Sequence, residues 1–167
     1  MLAPRLREPI VAGAITLGVA SLGGAFTQLD AWYYGLLKPW YQPPDWVFAP
    51  AWTILFVMIA WSAVLGWRAG HHALSIGLTR RQKRLLLLLA VNATLNVGWS
   101  FLFFASKRPD LAFIEIFLLW ASIAALILHL GRYCRPAALM LLPYLAWVTF
   151  AGALNLATLR LNPGLLT

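Results

Sequence analysis

The stretch LLLLLAVNATLNVGWSFLFF, Leu85 to Phe104, decides the fold class. It carries no charge, and at about 1.5 Å per residue it is long enough for one helix to cross a hydrocarbon core of roughly 30 Å. Its polar side chains are not scattered. Asn92 and Asn96 lie four apart, Trp99 three further on and Ser100 four further on, so they share one helical face. On an otherwise apolar helix such a face turns toward protein and away from lipid. Two readings are open for it: hydrogen bonds between helices, worth about 0.6–2 kcal/mol each in a membrane, and contact with a ligand.

Working outward from this run, four more of the same kind appear. Between Glu8 and Asp30 lie 21 uncharged residues, between Asp45 and Arg68 22, and between Arg135 and Arg160 24; the 21 residues between Asp110 and Arg132 hold one charge, Glu115. Backbone groups in lipid must be bonded within their own segment, and runs this long and unbroken exclude barrel strands. The expectation is an all-α, single-domain integral membrane bundle of five up-and-down helices, near residues 8–28, 47–67, 82–105, 109–131 and 136–159. The first run exceeds the roughly 7–15 apolar residues of a signal peptide core, so it reads as a spanning helix.

Composition agrees. Of 167 residues 62% are hydrophobic and 11% charged, against about 45–50% and 25% in soluble domains. The net charge of +8 would raise nucleic-acid binding on a soluble chain. Here the basic residues flank the apolar runs, so no nucleic-acid partner is expected. Nine of them (Arg5, Arg7, Arg68, Arg80, Arg81, Lys83, Arg84, Arg132, Arg135) fall on the amino-terminal side and four (Lys38, Lys107, Arg108, Arg160) on the other. By the positive-inside rule the amino terminus is expected in the cytoplasm and the first loop outside. The Arg80–Arg84 cluster is a secondary candidate for acidic lipid.

Eight of the nine tryptophans divide by depth. Trp40, Trp46 and Trp67 stand at span ends, where an aromatic belt accounts for them. Trp52, Trp61, Trp99, Trp120 and Trp147 lie inside spans, where an indole N–H needs a partner. In the fifth run Trp147, Ala151 and Asn155 recur at intervals of four beyond Pro143, which is expected to kink the helix. The small Ala151 leaves room for a flat molecule. The loop from Asp30 to Pro50 is rich in Trp, Tyr and Pro and reads either as a lid or as a rigid interfacial plug. Glu115, the one acid inside a span, is a functional candidate whose plainer reading is reaching interfacial water or pairing with Lys107 or Arg108. Ala20 and Gly24 allow close helix approach, in the bundle or in a dimer. His71, His72, His129 and Cys134 form no metal set, and no phosphate loop or Ser-His-Asp set is present, so metal, hydrolytic and redox chemistry is not expected.

Three groups of residues in order, Lys38-Pro39-Trp40 through Pro43-Pro44 to Val47-Phe48-Ala49-Pro50-Ala51-Trp52, Leu95-Asn96 with Trp99 and Phe103-Phe104, and Pro143-Tyr144-Leu145-Ala146-Trp147 with Phe150-Ala151 and Leu154-Asn155, resemble the TspO/MBR family. The resemblance runs from about residue 8 to 162. It implies a five-helix membrane protein, often a homodimer, that binds porphyrins, sterol-like lipids and synthetic hydrophobic ligands in a pocket closed by the first loop. The ligand-binding residues expected here are Trp40, Phe48, Ala49, Trp52, Asn92, Asn96, Trp99, Trp147 and Ala151. Trp52 and Trp147 match tryptophans linked in some bacterial relatives to light-dependent porphyrin breakdown, which makes them the candidate catalytic pair. No metal and no resident cofactor are implied; a porphyrin of the protoporphyrin IX or haem kind is the expected ligand. Two departures stand out. A pocket amide that is Gln in many relatives is matched by Asn92, and the sterol-recognition motif at the end of the fifth helix lacks its aromatic, since Leu154 to Arg160 holds none. The function expected is a receptor or transport regulator for flat hydrophobic molecules in a bacterial-type membrane. The alternatives are porphyrin degradation and tetrapyrrole or lipid transport, though no internal repeat supports a transporter.

Overall fold

The computed structural model describes residues 4–70 and 77–165. His71 and His72 lie outside the described residues. The chain forms helices α1 (Pro4–Phe26), α2 (Ala31–Gly35), α3 (Phe48–Gly70), α4 (Arg80–Ser100), α5 (Pro109–Gly131), α6 (Arg135–Leu139) and α7 (Leu142–Leu161). Among the described residues five segments are long and apolar enough to span a membrane: α1, α3, α4 with its extension to Ala105, α5, and α6 with α7. α1 packs on α3 and α4, α4 on α5, α5 on α7, and α3 on α6 and α7, so the bundle closes as a ring in the order α1, α3, α7, α5, α4. Its central packing unites Leu55 of α3, Ile116, Leu119 and Ile123 of α5, and Tyr144 and Val148 of α7.

The fifth span departs from the expected single kinked helix of residues 136–159: it is broken in two. The ring of Pro143 would collide with the carbonyl of Leu139 and offers it no N–H, and α6 ends at Leu139. Pro143 instead sits in the first turn of α7, where a missing N–H costs nothing. At the break the Leu141 N–H turns to the Ala138 carbonyl. The Ala137 carbonyl left behind accepts from the Ser62 hydroxyl of α3 at 2.7 Å. A buried acceptor is thereby satisfied from another helix, as burial requires.

Local chemistry sets the other ends. Thr79 and Gln82 form a reciprocal capping box at the start of α4, and the Thr79 hydroxyl also donates to the Gly70 carbonyl at 2.8 Å, pinning the end of α3 beside it. The far end of α4 passes into a π-helical turn over Phe101–Ala105. It stops at Lys107, whose φ of 54° is left-handed. Gly66 permits the tightest crossing: a Cβ there would stand 2.4 Å from Leu130 Cδ2 and 3.3 Å from Leu85 Cδ2.

Candidate functional site

A cavity of about 400 Å³ lies beneath the first loop, walled by all five spans. That volume falls in the range of small-molecule pockets, roughly 300–1,000 Å³. Its aromatic walls are Phe48, Trp52 and Phe56 of α3, Trp99 and Phe104 of the α4 segment, and Trp147 of α7. The rings brace one another. Phe48 meets Trp147 edge-on at 5.9 Å, Trp52 lies 5.4 Å from Phe56 and 6.1 Å from Tyr144, and Trp99 stacks on Phe103 at 5.1 Å. Aromatic pairs in offset and edge geometries hold their planes without covering both faces. The small residues Ala20, Gly23, Gly24, Ala49 and Ala151 leave the volume open.

Seven of the nine expected ligand residues therefore meet at one space: Phe48, Ala49, Trp52, Asn96, Trp99, Trp147 and Ala151. The other two do not. Trp40 is 95% exposed and packs edge-on against Tyr41, because the Pro39–Gln42 turn carries its side chain away from the cavity. Asn92 is one helical turn too deep. It donates to the Ser122 hydroxyl at 2.8 Å and borders a second cavity of about 450 Å³ nearer the amino-terminal end of the bundle. Phe56 and Asn96 border both cavities.

The polar stripe of α4 bonds between helices, and part of it borders the open space. Asn92 and Asn96 bond across helices, Asn96 donating to the Tyr144 hydroxyl at 3.1 Å, while Asn96 also faces the open space. The Trp99 indole forms cavity wall, yet its Nε1 is buried with no acceptor among the described residues. Asn155 does not continue the line from Trp147 and Ala151 into the cavity. It is buried against the start of α5, where in the amide orientation that satisfies both groups it donates to the Pro109 carbonyl at 3.0 Å and accepts from the Phe113 N–H at 3.1 Å. Of the other interior tryptophans, Trp120 donates to Thr149 at 2.9 Å and Trp61 is half exposed on the outside of the bundle.

Glu115 is buried, and neither carboxylate oxygen has a hydrogen-bond partner among the described residues. The expected ion pairs are used elsewhere: Lys107 holds Asp30 at 2.8 Å and Arg108 holds Asp110.

The first loop is fastened at four points. Asp30 caps α2 through the Tyr33 N–H and pairs with Lys107, which ties the loop to the α4–α5 turn. Tyr33, buried among Phe103 and Phe104, donates its hydroxyl to Asp45 at 2.7 Å and accepts from Gln42 at 3.2 Å. Lys38 stands 3.7 Å over its ring. Asn162, beyond α7, bonds both the N–H and the carbonyl of Leu37. Burial, then the bond to Asp45, hold the Tyr33 phenol protonated above its ordinary range, whereas the Lys107 hydrogen bond pulls the Asp30 carboxyl below its own. Tyr33, Asp45 and Leu29 close the cavity from above. Reading the loop by composition missed these anchors, since no local spacing links Leu37 to Asn162. Phe56 was legible, one turn beyond Trp52 on the same face.

Five apolar spans around an indole-lined cavity beneath the first loop define an integral membrane protein with an aromatic cavity inside its bundle. The TspO/MBR family profile matches residues 11–161, and the chain belongs to that family. It is 41% identical to the tryptophan-rich protein TspO of Chlorobaculum tepidum over 89% of this chain and 92% of that protein. It is 34% identical to protein CrtK of Rhodobacter capsulatus over 90% of each. Similarity extends to the translocator protein of Bos taurus, at 32% identity over 80% of this chain and 78% of the bovine protein.

Proposed function

We propose that this protein is a membrane receptor or transport regulator that takes up a porphyrin-like, flat hydrophobic molecule in the cavity beneath the first loop. The supporting observation is the convergence of Trp52, Trp99 and Trp147 with Phe48 on one space kept open by Ala49 and Ala151. Indole faces stack on extended π systems, and Asn96 offers a polar contact for a substituent. The loop, held by Tyr33–Asp45 and Asp30–Lys107, excludes water once the ligand is seated. No cofactor is required. The reading includes an amino terminus in the cytoplasm with the loop outside, from the basic asymmetry, and a homodimer in a bacterial-type membrane.

Titration of the detergent-purified protein with protoporphyrin IX, followed by tryptophan quenching, tests this. Saturable quenching is expected, with affinity reduced at least tenfold in the Trp52→Phe, Trp147→Phe double variant. Unchanged affinity in that variant would overturn the assignment. Because Trp52 and Trp147 both front the cavity, a second reading is light-driven oxidative breakdown of the bound porphyrin with dissolved dioxygen as the oxidant. Illumination that alters the porphyrin spectrum no faster than in detergent alone would exclude it.

A further inference from the structure

The second cavity differs in kind from the first. It lies between α1, α3 and α4 at the amino-terminal end of the bundle, and its walls are chiefly aliphatic or small, with Ala12, Ala63, Ala90 and Ala93 making the space. It follows α1 from Arg7 to Val19, about 18 Å at 1.5 Å per residue, close to the roughly 15 Å that one leaflet contributes to the hydrocarbon core. Its back is sealed, Leu85 and Val64 being 1% and 2% exposed, whereas Val11, Ile15 and Leu86 at its rim are 55%, 61% and 44% exposed. The slot therefore opens sideways between α1 and α4. Phe56, Asn96 and Tyr144 close its inner end.

Its mouth is polar and unevenly charged. Glu8 is held by Arg68 at 2.7 Å, while Arg7 has no carboxylate partner among the described residues. A long aliphatic slot that opens to the side, one leaflet deep, with a cation at its mouth matches one chemistry. We propose that it holds a single acyl chain of an anionic membrane lipid, whose headgroup pairs with Arg7. A neutral lipid leaves Arg7 unpaired. The proposal does not depend on which molecule occupies the aromatic cavity.

The test uses the full chain in nanodiscs of equal phosphatidylglycerol and phosphatidylcholine. One lipid at a time carries a photoreactive diazirine near the end of its acyl chain, and labelled residues are mapped by mass spectrometry. The expected result is labelling of the inner walls at Ala63, Leu89 and Ala93, with phosphatidylglycerol favoured about fivefold, the preference that one interfacial cation supplies. Arg7→Gln should bring that ratio to about one. Ala93→Phe, and independently Ala12→Phe from the opposite wall, should reduce inner-wall labelling at least tenfold while the outward Leu87 stays labelled. Thermal unfolding identifies which of the two variants is folded and so carries the comparison. Labelling confined to Leu87 and Val91, equal for both lipids and indifferent to a folded blocking variant, would overturn the proposal. So would efficient Ile15→Cys cross-links between two chains with no inner-wall label, which would assign the slot to a second copy.

Discussion

Asn96 donates from Nδ2 to the Tyr144 hydroxyl at 3.1 Å, joining α4 to α7 at the level where the two cavities meet. The bond is one link in a chain. Tyr144 turns its own hydroxyl toward Asn92 Oδ1 at 3.4 Å, Asn92 donates to Ser122 at 2.8 Å, and Ser122 donates to the Leu119 carbonyl at 2.7 Å. Three spans are thus connected through buried polar groups, each satisfied by the next. Trp52 lies edge-on against the same Tyr144 ring, so the position of a cavity indole depends on this network.

Removing the shared hydroxyl with Tyr144→Phe is expected to lower stability by about 1–2 kcal/mol, the loss for a buried hydrogen bond between membrane helices with its partner left unsatisfied. Titrating folded protein in mixed micelles with a denaturing detergent measures it. A midpoint equal to wild type would show that the network carries no load.

Trp40 and Trp52 separate motif membership from position. Trp40→Phe is expected to leave protoporphyrin affinity within twofold of wild type, since its indole is 95% exposed on the loop. Trp52→Phe alone should weaken binding severalfold. Equal losses from both variants, measured by equilibrium dialysis, would place the ligand elsewhere.

Gly66 and Gly18 test the close crossing. A methyl at Gly66 meets Leu130 at 2.4 Å and Leu85 at 3.3 Å, whereas nothing stands within 4 Å of one at Gly18. Gly66→Ala should cost about 1–3 kcal/mol through overpacking, while Gly18→Ala should be neutral or slightly stabilising. Unfolding midpoints of the pair decide the matter.

The loop fastening at Asp30 is expected to depend on pH in a defined direction. The carboxyl is held below its ordinary value of 3.8, first by Lys107 and then by the Tyr33 N–H. The ionised form is therefore the one the folded loop favours. Its contribution is complete above that ordinary value and fades as pH falls through the lowered one. Proteolysis of the loop by an acid-active protease should accelerate over that interval in wild type. In Lys107→Gln the loop should already be cut faster at the upper end of it. Cleavage rates that do not differ between the two proteins across the interval would remove the ion pair from the account of loop closure.

What the sequence determined by itself is what lipid imposes on any chain: five uncharged runs long enough to cross, helical because their backbone groups must bond internally, and a polar face on Leu85–Phe104 turned inward. Much of the grouping was legible too: helical spacing and depth point to Trp52, Asn96, Trp99, Trp147 and Ala151, and the family resemblance adds Phe48 and Ala49. Only the tertiary structure decided the rest. Nothing in local spacing says that Asn92 finds Ser122, that Asn155 serves the start of α5, or that Asn162 reaches back to Leu37. Pro143 marked a disturbance, but whether the helix bends or ends depends on its neighbours: the break at Leu141 frees the Ala137 carbonyl, and Ser62 of another span supplies its bond. The slot beside Arg7 has no motif at all. It is a volume that three helices fail to fill, and unfilled volume belongs to the packing of elements and not to any one of them.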